Sequence, residues 1–258
     1  MQSTAYDWQI RTKGAGPDVL LLHAFPYDGR MWDGQADMLA ASHRVLVPDM
    51  PGFGGAMAWP KSPHVDAWAL DLLDALKQMG VTKAIVAGCS MGGYLAFALM
   101  RAAPEFVQGL ALVDTRAVAD TQDRRAARLA DAERIVREGR EFFIERTLRA
   151  LDEEFSAYPA AHTLAEAMLA DASGRGLSDA LVVLASRPDS TPQLASITVP
   201  TVVIRGANDT IVVHDEAVGL AAAISGATFV ELDGAGHIPT FERPDEVTAI
   251  LFALSAQS

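Results

Sequence analysis

The chain has 258 residues, of which half are hydrophobic and 21% are charged, so it can bury the core of an ordinary globular α/β domain. Its formal net charge of −12 argues against nucleic-acid backbones and anionic membrane surfaces as partners. Cys89 is the single cysteine, which excludes an intrachain disulfide. Without a signal-peptide pattern or an apolar run of transmembrane length, we expect a cytoplasmic protein.

The first part of the chain alternates short apolar runs with amphipathic stretches. An edge strand is predicted over residues 8–12, and buried strands are predicted over residues 19–22, 45–47, 83–89 and 110–113. Helical spacing indicates helices over residues 31–41, 65–79 and 94–103. This alternation predicts a mostly parallel sheet with right-handed crossovers, whose ligands bind at the carboxyl ends of the strands.

The pattern changes between Arg116 and Pro192, where four helices and no strand are predicted. A capping box at Thr163–Glu166 is expected to open the third helix, and Gly174 and Gly176 are expected to precede the fourth. A helical insertion of roughly 70 residues between two strands is typical of a functional lid. A purely structural excursion is the alternative.

The alternation then resumes, which divides the chain into two parts. Strands are predicted over residues 199–205 and 227–232, a helix over 215–224, and a final helix that begins at Pro244. The predicted domains are a core of residues 1–115 and 193–258 and a lid of residues 116–192.

A turn between a predicted strand and helix carries the first catalytic signal. The sequence Gly88-Cys89-Ser90-Met91-Gly92 matches the G-x-S-x-G pattern of a nucleophile elbow. In such a turn the serine hydroxyl is exposed above the sheet, next to a helix N-terminus that can stabilise an oxyanion. A glycine-rich turn with a surface serine is the structural alternative.

A serine nucleophile needs a base and a group that orients the base, in the chain order Ser, Asp, His. His237 is the predicted base because it follows a strand on a glycine- and proline-flanked loop. Asp209 is the predicted acid, and Asp114, which also ends a strand, is the alternative acid. His23 breaks the chain order, and the remaining histidines are expected in helical or surface contexts: His43, His64, His162 and His214.

An oxyanion hole needs two N–H donors. Met91, directly after the serine, supplies one donor, and Phe25 is the candidate for the other because Pro26 has no N–H. Cys89 is expected to point away from Ser90 as a small buried hydrophobe. The His, Cys and carboxylate residues show no metal-ligand spacing, so no metal is predicted.

Five motifs in order resemble those of the α/β-hydrolase family, and within it the small esterases, 3-oxoadipate enol-lactonases and cofactor-free haloperoxidase or perhydrolase-like members. They are His23-Ala24-Phe25-Pro26, Asp49-Met50-Pro51-Gly52-Phe53-Gly54, Gly88–Gly93, Gly206-Ala207-Asn208-Asp209 and Gly234-Ala235-Gly236-His237. The resemblance implies the α/β-hydrolase fold with helices on both faces of the sheet. It also implies a nucleophile at Ser90, an acid at Asp209, a base at His237, backbone donors at Phe25 and Met91, and no cofactor.

The sequence departs from the family pattern in two places. Ala24 stands where glycine usually follows the first histidine, so its Cβ is expected to tighten the oxyanion loop. Residues 6–12, before Lys13, stand where the family usually has a β-hairpin, so the first strand of the family is expected to be missing.

The predicted function is that of a serine hydrolase, which cleaves small carboxylic esters or lactones through an acyl-enzyme. A C–C bond hydrolase or a perhydrolase on the same fold is one alternative, and a non-catalytic ligand receptor is another. A small molecule is the expected partner in each case.

Overall fold

Seven strands form one sheet in the computed structural model, which describes residues 6–258 except for the side chains of residues 152–154. Residues 1–5 of the predicted core therefore lie outside the described residues. The strands are β1 (Ile10–Lys13), β2 (Asp18–Leu22), β3 (Arg44–Pro48), β4 (Ala84–Cys89), β5 (Val107–Val113), β6 (Thr201–Gly206) and β7 (Thr228–Leu232). Their order is β1-β3-β2-β4-β5-β6-β7, with β1 antiparallel to β3 and every other pair parallel. The predicted mostly parallel sheet is confirmed.

The helices follow the strands along the chain. They are α1 (Asp33–Leu39), α2 (Val65–Gln78), α3 (Met91–Ala102), α4 (Gln122–Glu138), α5 (Glu141–Glu154), α6 (Pro159–Asp171), α7 (Gly174–Ser186), α8 (His214–Ala222), α9 (Pro239–Glu242) and α10 (Pro244–Ser255). Within the described part of the chain, each helix is too short or too polar to cross a bilayer.

Alternate residues of the central strands bury their side chains on opposite faces of the sheet. In β2, Leu20 and Leu22 belong to the buried cluster that includes α2, α3 and α8, whereas Val19 and Leu21 belong to the cluster that includes α1 and α10. This period of two follows from the pleat of a strand. Helices therefore cover both faces, as the resemblance implies.

Four helices, α4 to α7, lie between β5 and β6 and share the apolar core of the sheet. Ala132 and Ile135 of α4, Phe143 of α5 and Leu181 of α7 belong to the same buried cluster as α3. Burying these side chains makes removal of the segment costly, since each large buried aliphatic or aromatic side chain contributes roughly 1.5–3 kcal/mol. The segment is thus packed firmly onto the sheet.

Two predictions about helix starts are wrong. Thr163 does not cap α6, because that helix already begins at Pro159, whose fixed φ suits a first turn. The Thr163 hydroxyl instead lies inside the helix and donates to the Pro159 carbonyl at 3.1 Å. Gly174 and Gly176 lie within α7 and not before it, since the Ser173 side chain accepts from the Gly176 N–H and caps that helix.

His43 is buried, which corrects the expected surface context. Its two ring nitrogens form hydrogen bonds with the hydroxyls of Ser42 at 2.9 Å and Ser255 at 2.6 Å. The bonds connect the turn after α1 to the end of α10, so this histidine has a structural role.

Two glycines allow the backbone contacts that position the loops at the carboxyl edge. A Cβ on Gly92 would lie 2.1 Å from the Leu22 carbonyl oxygen, so α3 begins directly against the end of β2. A Cβ on Gly206 would lie 1.9 Å from the Gly236 carbonyl oxygen. The loop after β6 can therefore touch the loop after β7, and these are the loops that carry Asp209 and His237.

Candidate active site

Ser90 lies between β4 and α3 in a strained backbone conformation, with φ 48° and ψ −107°. A positive φ is costly for a residue with a Cβ, so the surrounding contacts must hold it. The Ser90 N–H donates to the Val113 carbonyl at 2.8 Å. The Ser90 carbonyl accepts from the Gly93 N–H at 3.0 Å and from the Thr115 hydroxyl at 2.8 Å. These bonds hold the half-buried serine at the carboxyl edge of the sheet.

The structure brings Ser90, His237 and Asp209 into one hydrogen-bonded chain. His237 Nε2 lies 3.0 Å from Ser90 Oγ, and His237 Nδ1 lies 2.8 Å from Asp209 Oδ2. The three residues come from the ends of β4, β7 and β6, which meet at the same edge of the sheet. The arrangement has the geometry of a nucleophile, a base and an orienting acid.

Asp209 is 4% exposed and accepts several hydrogen bonds. Oδ1 accepts from the Ile211 N–H at 2.7 Å and the Val212 N–H at 3.2 Å, while Oδ2 faces His237. Burial acts to raise the pKa of this carboxyl, but the bonds to His237, Asp114 and Ile211 outweigh it and hold the pKa below its ordinary value. Asp209 is therefore ionised at neutral pH.

Arg205 is a residue of this site that sequence reasoning missed. Its guanidinium is buried and donates to the carbonyls of Val212 and Asp209, each at 2.7 Å, and to Glu231 Oε2 at 2.6 Å. It therefore clamps the loop that carries the acid. An arginine at the end of an apolar strand was the available signal, because a buried guanidinium needs several fixed acceptors.

Glu242 supports the loop that carries the base and was also missed. Its two carboxylate oxygens accept from the Gly236 N–H at 2.9 and 2.8 Å, directly before His237. Glu242 is 5% exposed and lies on the four-residue helix α9, which the sequence pattern did not indicate. A single turn of helix leaves too short a periodic signal to be recognised.

Asp114 lies beside Asp209 at the end of β5, with φ 40° and 1% exposure. The Gly206 N–H donates to its carboxyl group at 3.1 and 3.2 Å, and a carboxylate oxygen of Asp114 lies within 4.8 Å of a carboxylate oxygen of Asp209. Burial, together with Asp209, raises the pKa of Asp114 well above its ordinary value. His237 Nδ1 forms its carboxylate hydrogen bond with Asp209 Oδ2 at 2.8 Å, which favours Asp209 over Asp114 as the acid.

Asp114, Asp209 and His237 each place a potential ligand atom within 4.8 Å of the other two. Lone pairs of this cluster already accept hydrogen bonds from Gly206, Ile211 and Val212. A cation would have to compete with these N–H donors, so the donor set suits a hydrogen-bonded relay better than a metal centre.

The loop after β2 places Phe25 against two other aromatic rings. Phe25 makes edge-to-face contacts with Phe53 at 6.2 Å and with Phe143 of α5 at 5.7 Å between ring centroids. Ala24 is fully buried in the core cluster beneath the loop. Aromatic pairs of this kind stabilise a loop by roughly 0.5–1.5 kcal/mol each.

The remaining predicted residues of the site lie at the ends of β4 and α3. Cys89 is fully buried in the cluster on the face that α1 and α10 cover, as expected for a small hydrophobe. Met91 is the first residue of α3, where helix geometry leaves the N–H without an intrahelical acceptor.

A groove of about 550 Å³ borders His237 between the helical segment and the sheet loops. Tyr158 and Ser156 line it from the loop between α5 and α6, and Asn208 and Thr210 line it from the loop after β6. A groove of this size suits a small molecule and provides both polar and apolar surface beside the histidine.

Residues 19–250 match the model of a protein family described as the alpha/beta hydrolase family. This chain belongs to that family. The match begins at the second residue of β2 and covers the strands β3 to β7, together with the four helices between β5 and β6. The chain is therefore a hydrolase enzyme.

Curated relatives cover nearly the whole chain. The pimeloyl-[acyl-carrier protein] methyl ester esterase of Chromobacterium violaceum is 29% identical over 96% of this chain and 98% of that protein. The enzyme of the same name from Aromatoleum aromaticum is 27% identical over 91% of this chain and 96% of that protein.

Solved structures resemble this one over their full length. A thermophilic esterase from Thermogutta terrifontis, determined with malate bound, has a TM-score of 0.93 and 33% identity, covering 100% of this chain and 97% of that one. The enol-lactonase from Burkholderia xenovorans has a TM-score of 0.87 at 24% identity, covering 98% of each chain, and shows the shared fold.

Proposed function

We propose that this hydrolase cleaves small carboxylic esters or lactones through an acyl-enzyme on Ser90. The observation that carries the proposal is the hydrogen-bonded chain from Asp209 through His237 to Ser90, with links of 2.8 and 3.0 Å. Similarity to esterases of 27–33% identity over nearly the whole chain supports the ester as the substrate class.

The proposed reaction begins with transfer of the Ser90 proton. An ionised carboxylate only accepts hydrogen bonds, so Asp209 holds the proton of the neutral imidazole on Nδ1 and leaves Nε2 free to accept. As Oγ attacks the carbonyl carbon, His237 Nε2 takes the hydroxyl proton and then delivers it to the leaving alkoxide. A water molecule activated by the same nitrogen then releases the acid and regenerates Ser90.

Two backbone N–H groups stabilise the oxyanion in this proposal. Met91 supplies one at the N-terminus of α3, where the helix dipole also favours negative charge. Phe25 supplies the other, held in place by its contacts with Phe53 and Phe143. The chemistry uses the residues of this chain and needs no cofactor.

Residues 116–192 act as a lid in the proposed mechanism, and the remaining described residues form the core. Phe143 of α5 touches Phe25 of the oxyanion loop, so the helical segment roofs the reacting atoms. Excluding water there strengthens the electrostatic contacts of the oxyanion.

Labelling with a fluorophosphonate probe tests the nucleophile. We expect the probe to attach to Ser90, and Ser90→Ala to abolish labelling and reduce hydrolysis of p-nitrophenyl acetate by about 10⁴-fold or more. Ser62→Ala, which alters an exposed serine, is the matched control and is expected to behave like the unaltered chain. Ester hydrolysis retained by a folded Ser90→Ala variant would refute the proposal.

A substrate panel separates the reaction classes. A plain ester is expected to turn over faster than a 1,3-diketone, and peroxide is not expected to be required. Preferential cleavage of the diketone would indicate a C–C bond hydrolase, and peroxide-dependent halogenation would indicate a haloperoxidase. Specific ligand binding without labelling or turnover would indicate a receptor.

A further inference from the structure

Two carboxyl groups lie side by side behind His237, although the proposed mechanism uses one. Asp114 and Asp209 are 1% and 4% exposed, and a carboxylate oxygen of each lies within 4.8 Å of the other. The charged or titratable groups that face Asp114 are Asp209, His237 and Arg205. Arg205 donates hydrogen bonds to the carbonyls of Ala207, Asp209 and Val212 and to the Glu231 carboxylate, so its donors are directed at these groups and its charge acts on Asp114 from a distance.

Two carboxyl groups that are buried next to each other retain one proton between them, because ionising both would bury two adjacent negative charges. The backbone donors show which group is charged. Asp209 receives N–H bonds from Ile211 and Val212 and faces His237, whereas Asp114 receives one N–H, that of Gly206. Asp209, whose carboxylate accepts more hydrogen bonds, carries the charge, and the proton is on Asp114.

We propose that Asp114 is a positioning residue that stays protonated and donates its O–H to Asp209 while its other oxygen accepts from the Gly206 N–H. This role rests on the proposed function of Asp209 and His237. The donated bond fixes the rotamer of Asp209 and thereby the plane of the His237 ring. Asp114 is then a neutral neighbour of the acid and not the alternative acid that its position at the end of β5 would allow.

Paired substitutions test this role. Asp114→Asn preserves both contacts, since the amide N–H replaces the O–H and the amide oxygen accepts from Gly206. Asp114→Leu keeps a similar size and removes both. We expect the Asn variant to keep at least about a third of kcat for p-nitrophenyl acetate and the Leu variant to lose about 10- to 100-fold in kcat with little change in KM. The exposed Asp233→Asn is the control.

The same variants distinguish a neutral Asp114 from an ionised one. If Asp114 were the ionised partner of the histidine, Asp114→Asn would cost about 10⁴-fold, as expected for Asp209→Asn. That result would overturn the proposal. Equal activity of the Asn and Leu variants would also overturn it, because the donated hydrogen bond would then have no effect.

Infrared difference spectroscopy tests the proton directly and does not depend on catalysis. At neutral pH, the spectrum of the unaltered protein minus that of Asp114→Asn is expected to contain the C=O stretch of a protonated buried carboxylic acid. Absence of that band would refute a protonated Asp114 even if the esterase function holds. Presence of the band in a protein that fails to hydrolyse esters would refute the proposed function and leave the protonation state established.

Discussion

At the scale of single residues, the site depends on a few hydrogen bonds that hold polar groups in fixed orientations. Ser90 adopts a positive φ because Val113, Gly93 and Thr115 all bond to its backbone. Such strain costs of the order of 1–3 kcal/mol and persists only where the surroundings over-determine it. The conformation turns the hydroxyl towards His237, which is what the proposed proton transfer needs.

The pH dependence of activity follows from the protonation states at the site. We expect kcat/KM for p-nitrophenyl acetate to fall with decreasing pH through a single ionisation, since a protonated His237 cannot accept the Ser90 proton. The pKa of Asp209 is held below its ordinary value, so this carboxyl stays ionised across the same range. A profile recorded between pH 4 and 9 measures the effect.

Two outcomes of that profile would contradict the assignment. A rate that stays flat down to pH 4 would mean that no histidine base is required. A rate that falls with the square of the proton concentration would mean that a second group, such as Asp209, also takes up a proton. Thermal unfolding measured at each pH controls for loss of the fold.

At the scale of elements, a buried histidine joins the ends of β2 and β3. The Met50 N–H donates to His23 Nε2 at 2.8 Å, so Nδ1 carries the proton and donates to the Ala24 carbonyl at 3.0 Å. Complete burial lowers the pKa of His23 from 6.5 to about 4. The loops on either side of the candidate site are therefore joined through a neutral imidazole.

This lowered pKa predicts how stability changes with pH. Below pH 6.5 the unfolded chain takes up a proton on His23 while the folded chain does not, so stability falls until about pH 4, where the folded state is protonated too. The full shift of the His23 pKa corresponds to a change of about 3 kcal/mol in the free energy of unfolding. We expect the stability difference between the unaltered chain and His23→Gln to shrink by up to that amount between pH 6.5 and pH 4, measured by urea unfolding.

The Asp49 carboxyl changes stability with pH in the opposite direction to His23. Burial raises the pKa of its carboxyl from 3.8 to about 6, so the folded chain keeps this proton after the unfolded chain has lost it. The stability that this proton provides is lost as pH rises through about 6. In Asp49→Asn the opposing effect is gone, so stability should depend more steeply on pH between 4 and 6.

A difference in stability between His23→Gln and the unaltered chain that stays constant with pH would contradict the His23 assignment.

At the scale of the whole molecule, the helical segment uses most of its apolar surface to pack. Phe155, Met168, Leu181 and Leu184 are only 1–3% exposed and belong to the two core clusters. Side chains buried in this way do not form an apolar surface for lipid. We propose that a substrate enters through the groove of about 550 Å³ that borders His237.

We therefore expect short-chain p-nitrophenyl esters to be hydrolysed much faster than long-chain esters. Acetate and butyrate esters should exceed the palmitate ester in kcat/KM, and emulsification should not raise the rate. Comparing the three esters with and without an oil–water interface measures both effects. A palmitate preference that grows on emulsification would mean that α4 to α7 open onto lipid, against the packing that holds them closed.

Local sequence predicted the elements and several residues of the site. The buried strands were found because apolar β-formers stand out in runs of four to seven residues, and the turn at Ser90 was found because its glycines and serine occur at fixed spacing. The start of α6 was misplaced because a Pro159 start and a Thr163 capping box are both compatible with the local sequence.

By itself, the sequence determined the alternation of strands and helices, the order of the five motifs and therefore the family, because these depend on local periodicity and on spacing along the chain. Tertiary structure alone decided which side chains and loops that are distant in sequence lie next to each other. It placed Asp114 against Asp209, Arg205 under the loop of the acid and Glu242 under the loop of the base. These contacts join residues brought together by the sheet order or by a short helix with no periodic signal. Their hydrogen bonds and buried charges follow from distances in space, which periodicity along the chain does not encode.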